Sequence, residues 1–186
     1  MRCWRPASAS SPQGRSRPPE KKPRLIPEAH NDAFADPGES APLTHLAVEA
    51  GSYHLLALSR EARRVGALHL PTGQWSWKHK ISQQPLLLAS HPVTGEGYLV
   101  WSEGSESGLT RFRITTGEPI TTVPLGAIPA DQFRAVALDT ERNRLYIATA
   151  HGILGVDLTR NRPTPRLAWE GAVDMAVDAP DRKSVV

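Results

Sequence analysis

From Leu43 onward the chain alternates short apolar runs, rich in Val, Leu, Ile, Thr and aromatic residues, with clusters of Gly, Pro, Asp, Asn and Ser. Runs of this length between turn formers predict β-strands, and no helix is signalled. Three segments superpose without gaps: residues 65–81, 109–125 and 153–169, whose starts lie 44 residues apart. In each, the first, fourth and sixth places are apolar: Val65, Leu68 and Leu70; Leu109, Phe112 and Ile114; Ile153, Val156 and Leu158. A turn follows at once, Thr72-Gly73-Gln74, Thr116-Gly117-Glu118 or Arg160-Asn161-Arg162. Gly or Asn at its centre suits the positive φ that a tight hairpin requires. Each segment therefore reads as strand, hairpin, strand.

Ahead of each segment lies another matched pair of runs: residues 46–48 and 54–59, 86–88 and 97–102, 136–138 and 144–149. The second run of each pair ends in a small hydroxyl residue, Ser59, Ser102 or Thr149. Two pairs make four short strands in a unit of about 44 residues, the size of a β-propeller blade. The predicted fold is all-β, a β-propeller portion of about three and a half four-stranded antiparallel blades. Their expected bounds are 44–81, 86–125, 134–169 and a truncated 173–186.

Residues 137–158, from Ala137 through Asp139, Arg144-Leu145-Tyr146-Ile147-Ala148-Thr149 and Val156-Asp157 to Leu158, resemble a divergent WD-repeat blade. In that family an apolar strand leads to an Asp-containing turn, a strand ending in small residues, and a strand ending in an aromatic-Asp pair. Val156-Asp157 stands in the pair's place, with Phe112-Arg113 and Leu68-His69 departing further, and the family's Gly-His dipeptide is absent from the corresponding loops. The resemblance covers residues 44–186 and implies a propeller that docks other proteins. The hydrogen-bond network of the family's Trp-Asp and Gly-His residues is not carried over. Related propellers, quinoprotein-like and low-density-lipoprotein-receptor-like, stand beside it as alternatives.

The last residues, 176–186, align with 137–147, so the chain stops inside the second strand of a fourth blade. Three and a half blades leave unpaired strand edges and uncovered apolar faces. The expectation is a fragment or truncated form of a longer propeller, or a ring closed by a second chain.

Charge divides the chain. Residues 1–24 hold seven Lys and Arg against Glu20 alone, so a net charge of +3 conceals a mildly acidic remainder. That remainder makes no general electrostatic case for nucleic acid. Eight prolines fall in the first 42 residues among Ser, Arg and Lys, without apolar periodicity, which predicts a disordered tail over 1–42 ahead of the propeller at 43–186. Within it, Lys21, Lys22 and Arg24 form a short basic run that reads either as a solvated linker or as a nuclear-import signal. One cysteine, Cys3, rules out an intramolecular disulfide framework. No apolar stretch approaches the length of a membrane span, and the start lacks the core of a signal peptide, so the reading is of an intracellular protein, nuclear or cytoplasmic, with no membrane partner.

Candidate chemistry is sparse. His54, His69, His79 and His91 have no ligand spacing and read as surface or turn residues, so no metal is expected. Ser59, Ser102 and Thr149 follow the repeat, which assigns them to packing or turns, since a catalytic serine would break it. Asp139 and Asp178 share one inter-strand turn, where Asp bonds its own backbone. No catalytic or phosphate-binding motif is present, so neither catalytic residues nor a cofactor are expected. Trp75 and Trp77, one residue apart on a fourth strand, are expected on one face, either packing between blades or anchoring a partner. Arg60, Arg63 and Arg64, read as the loop between the second and third strands, are either solvated or partner contacts. The reading is a non-enzymatic protein-interaction scaffold of WD-repeat-like propeller type. Beside it stands a propeller enzyme or cofactor-binding subunit of quinoprotein type.

Overall fold

A computed structural model describes residues 41–168. The basic run at Lys21, Lys22 and Arg24, Asp178 and the fourth repeat lie outside the described residues. Among the described residues twelve strands form three four-stranded sheets, each pairing only neighbours in sequence. The first holds β1 (His45–Glu49), β2 (His54–Ser59), β3 (Arg64–His69) and β4 (Gln74–Lys80). The second holds β5 (Gln84–Ser90), β6 (Glu96–Glu103), β7 (Glu106–Arg113) and β8 (Pro119–Gly126). The third holds β9 (Phe133–Asp139), β10 (Arg144–Thr149), β11 (Gly152–Asp157) and β12 (Arg162–Pro163), with a 3-10 turn at Ala130–Gln132 leading into it. All pairings are antiparallel. The three sheets are blades of a β-propeller, and β5 packs beside both β1 and β9.

The hairpins share one local rule. A residue ending a strand is followed four places later by a left-handed residue: Glu49 by Tyr53 (φ 56°), Ser59 by Arg63 (49°), Asp139 by Asn143 (51°) and Asp157 by Asn161 (52°). Gly73 (66°) and Gly117 (74°) occupy the same place after His69 and Arg113, and there the absence of Cβ removes the strain of a positive φ. At several of these turns the side chain of the residue before the turn caps it. The Asp157 carboxylate accepts the Thr159 and Arg160 N–H groups, both at 3.0 Å, and Asp139 accepts that of Arg142 at 2.9 Å. His91 serves in the same way through Nδ1, facing the N–H groups of Val93 and Thr94.

Two apolar seams hold the blades together. Leu56, Leu58, Ala67 and Trp77 of the first sheet meet Leu88, Leu99 and Phe112 of the second. Tyr98, Val100 and Leu109 of the second meet Leu145, Ile147 and Val156 of the third. Because the second sheet is covered on both faces, Tyr98, Leu99 and Val100 are consecutive and all buried. Polar groups cross both seams at one repeated position. The residue just past the third strand of each blade, Leu70, Ile114 or Leu158, donates its N–H to the carbonyl of the left-handed residue Tyr53, Gly95 or Asn143, at 2.9 to 3.0 Å. The carbonyl of Ile114 is met by the Trp77 indole, and that of Leu158 by the Arg111 guanidinium, each from the preceding blade.

Candidate functional site

The first blade concentrates the chemistry. At one end, where the β1–β2 and β3–β4 turns lie together, Glu49 is fully buried at the close of β1. Its carboxylate accepts the N–H groups of Gly51 at 2.8 Å and Ser52 at 2.7 Å, and the Ser52 hydroxyl donates to Oε2. Burial alone would raise its pKa, but these donors, the Ser52 hydroxyl foremost, hold it below the ordinary glutamate value. Ser52 Oγ also lies 2.9 Å from Nδ1 of His54, and His54 Nε2 lies 2.9 Å from Oγ of Ser76. Burial, and next the neighbouring His69, push the His54 pKa down, which favours neutral imidazole. The His54 and His69 rings stand 5.2 Å apart, brought together by direct pairing of the two residues across β2 and β3.

The register explains how Ser76 reaches this chain. Ala67 opposes Trp77 and Leu68 opposes Trp75, so Ser76 is the extra residue of a β-bulge. The bulge also corrects the expectation that Trp75 and Trp77 share a face. Adjacent residues of β3 point to opposite faces, so their partners on β4 do too. Trp77 turns into the seam, its indole N–H 2.5 Å from the Ile114 carbonyl, its ring edge-on to Phe112 and stacked on His79. Trp75 is half-buried opposite Leu68.

At the other end of the blade, Arg60 and Arg63 occupy the β2–β3 turn, whereas Arg64 opens β3 and does not belong to the loop. Arg60 Nε donates to the Leu86 carbonyl across the seam at 2.8 Å, and burial lowers its pKa. Arg63 donates to the Ser82 carbonyl at 3.1 Å and lines a polar cleft of about 210 Å³ with Gln83, Ser102 and Glu103. A larger groove of about 460 Å³ runs beside Trp101, Thr122 and Pro124 of the second blade.

Of the residues weighed from sequence, the structure brings His54 and His69 together, sets His79 on Trp77, and uses His91 as a turn cap. Among the described residues no group of three or more His, Cys, Asp or Glu is placed to hold a metal ion. Ser59, Ser102 and Thr149 are all buried. Ser59 Oγ accepts the Ala62 N–H, and Thr149 Oγ1 donates to the Gly152 carbonyl, which are turn roles. Sequence reasoning passed over Glu49, Ser52 and Ser76. Counted from the left-handed residue of each turn, His54 is replaced by Glu96 and Arg144 in the other blades, and Ser76 by Ile120 in the second and Thr164 in the third. No helix among the described residues is long and apolar enough to cross a membrane.

No protein-family model matches the chain, and no curated protein matches it in sequence. Solved structures do match. Kuenenia stuttgartiensis hydrazine synthase superposes with a TM-score of 0.60 at 15% identity, over 73% of this chain and 39% of that one. Apo AztD from Citrobacter koseri gives 0.57 at 15% identity, over 74% and 38%. The Myceliophteria thermophila Cps50 (Swd1) β-propeller domain gives 0.56 at 17% identity, over 73% and 44%. At these identities the likeness is one of fold, and this chain spans about two fifths of the length of each structure.

Proposed function

We propose that the protein is an interaction module of WD-repeat-like propeller type, and that the face of its first sheet turned away from the second is the contact surface. One observation carries this. Leu46 and Val48 of β1 are 58% and 59% exposed, although Ala47 between them packs into the seam. Counted back from the turn caps Glu49, His91 and Asp139, Leu88 stands at the equivalent of Leu46 in the second blade and Ser90 at that of Val48, while Val136 and Leu138 stand at the equivalents of both in the third. The preceding sheet covers Leu88, Val136 and Leu138. At β1 the first sheet thus presents apolar side chains of the kind on which another propeller sheet packs, while Ala57 and Leu68 farther in on the same face are already buried, and the occupant is the apolar face of an antiparallel β-sheet in a partner protein. Covering such side chains stabilises by about 1.5–3 kcal/mol each. Arg63 and Trp75 serve as rim contacts in this reading, while Trp77 and Arg60 hold the blades in place.

The test is a photoreactive benzophenone side chain placed in the full chain at position 46, at 48, or at Ile120, which is 44% exposed on β8 of the second sheet. Crosslinking in cells should capture one protein from 46 and 48 and not from 120. Equal capture from all three positions, or none from 46 and 48, overturns the proposal. A propeller enzyme is the second reading, and the Glu49–Ser52–His54–Ser76 chain is the observation that favours it.

A further inference from the structure

The geometry points to Ser76 as a nucleophilic serine that takes the acyl group of a carboxylic ester, with His54 as its general base and Ser52 and Glu49 as positioning residues. The direction of every proton in the chain is set by its buried end. Ionised Glu49 only accepts, so the single Ser52 hydroxyl proton points to it. Ser52 Oγ is then an acceptor and takes the Nδ1–H of His54. Neutral His54 therefore carries its lone pair on Nε2, which receives the Ser76 proton. A nucleophile, a base on it, and a group fixing the base's tautomer are what activation of a serine requires.

Exposure follows the same order. Glu49 is fully buried and His54 is 6% exposed, while Ser76 lies at the surface, where a substrate reaches it. The bulge frees Ser76 from a cross-strand partner and re-aims it. The chain is also more than a turn cap needs. Asp139 and His91 cap the equivalent turns of the other blades through backbone N–H groups, with no histidine or second serine behind them. Of the residues that extend the cap, His54 breaks the repeat, whereas the place of Ser76 holds Ile120 in the second blade and another hydroxyl residue, Thr164, in the third.

In the first step Ser76 Oγ bonds to the ester carbonyl carbon and its proton passes to His54 Nε2. The tetrahedral adduct collapses by breaking the bond to the alcohol oxygen, which leaves with the proton from His54. Water then attacks the acyl-Ser76, giving one proton to His54. The carboxylic acid departs as Ser76 recovers that proton.

The test treats the folded full chain with an alkyl fluorophosphonate and reads intact mass and peptide maps. One adduct per chain is expected, on Ser76, absent from Ser76→Ala and from urea-unfolded protein. Ser52→Ala keeps the backbone N–H bond to Glu49 but cuts the link to His54. In it and in His54→Gln, both checked for folding by circular dichroism, labelling should slow by roughly 100-fold. Labelling should also fall with pH as His54 protonates, and Glu49 on β1 and His69 on β3 are the titratable groups that bear on it. With p-nitrophenyl acetate, a burst of one p-nitrophenol per chain is expected. No adduct, an adduct elsewhere, or equal rates in wild type, Ser52→Ala and His54→Gln would overturn the proposal.

Discussion

Trp77 gives its indole N–H to the carbonyl of Ile114 in the next blade, 37 residues away, and both residues are buried. The same carbonyl one blade on, that of Leu158, is met at 2.6 Å by Arg111. Two unlike side chains thus satisfy one repeated backbone acceptor, and an acceptor left unpaired in a seam costs more than a hydrogen bond gains. Trp77→Phe, which keeps the ring and loses the donor, should destabilise by about 1–3 kcal/mol in urea unfolding. Trp77→Ala should cost about 3–5 kcal/mol, because a cavity is added to the lost bond. Equal values for the two would place the cost elsewhere.

Arg111 joins the second and third blades from a largely covered position. Its guanidinium donates to the Leu158 carbonyl, to Asn161 Oδ1 at 2.5 Å and to Glu96 Oε2 at 2.7 Å. Arg111→Lys keeps the charge but not the fork, so it should still lose about 1.5–3 kcal/mol. A double-mutant cycle with Glu96→Gln should show that the Glu96 link is only part of this loss. Full recovery in the cycle would contradict the role assigned to the Leu158 carbonyl.

Gly97 makes room for the ring of Phe112, its cross-strand partner in the second sheet. A Cβ there would sit 2.3 Å from the Phe112 ring, which packs edge-on to Trp77. Gly97→Ala should therefore cost about 1–3 kcal/mol by overpacking and should shift Trp fluorescence. Unchanged stability and fluorescence would mean that the seam yields at this point.

Acid should unfasten the turns. Despite burial, the Ser52 hydroxyl and backbone N–H groups hold the pKa of Glu49 below its ordinary 4.5, and backbone N–H groups with the Arg142 and Arg160 guanidinium groups hold those of Asp139 and Asp157 below 3.8. A depressed carboxylate stabilises the fold fully above its unfolded pKa and loses that stabilisation as pH falls through the folded one. Stability measured by urea midpoint should decline gently as pH falls from 7 towards 5, because His54 and His45 are held neutral in the fold and charge more readily in the unfolded chain, and fall steeply below about 4 as the carboxylates protonate. The Arg142 and Arg160 partners are 65% exposed, so added salt should change the midpoint little compared with pH.

The blades were legible because their signals are local and repeated. Gly73, Gly117 and Asn161 fall at the expected turns with positive φ, and Asp139 caps its turn as its place in the repeat implied. What crosses between strands was not legible. The Trp75–Trp77 spacing of two implies one face unless a bulge intervenes, and the bulge at Ser76 is a matter of register that one strand's sequence does not carry. The Trp77 and Arg111 donors escaped for a related reason, since a shared carbonyl target leaves no shared residue type. Glu49, Ser52 and His54 are close in sequence, but their link to Ser76 passes 22 residues along the chain and depends on that bulge.

Hydrogen exchange of β1 against β5 and β9 tests most directly whether the first sheet carries an open contact face. All three strands are hydrogen-bonded to a single neighbour, and they differ in whether a preceding sheet covers them. In the dilute full chain, amides of residues 45–49 should exchange faster than those of β5 and β9, and should slow to their level in complex with the protein captured from positions 46 and 48. Equal protection of the three strands in the free chain, or no slowing in the complex, would contradict the account.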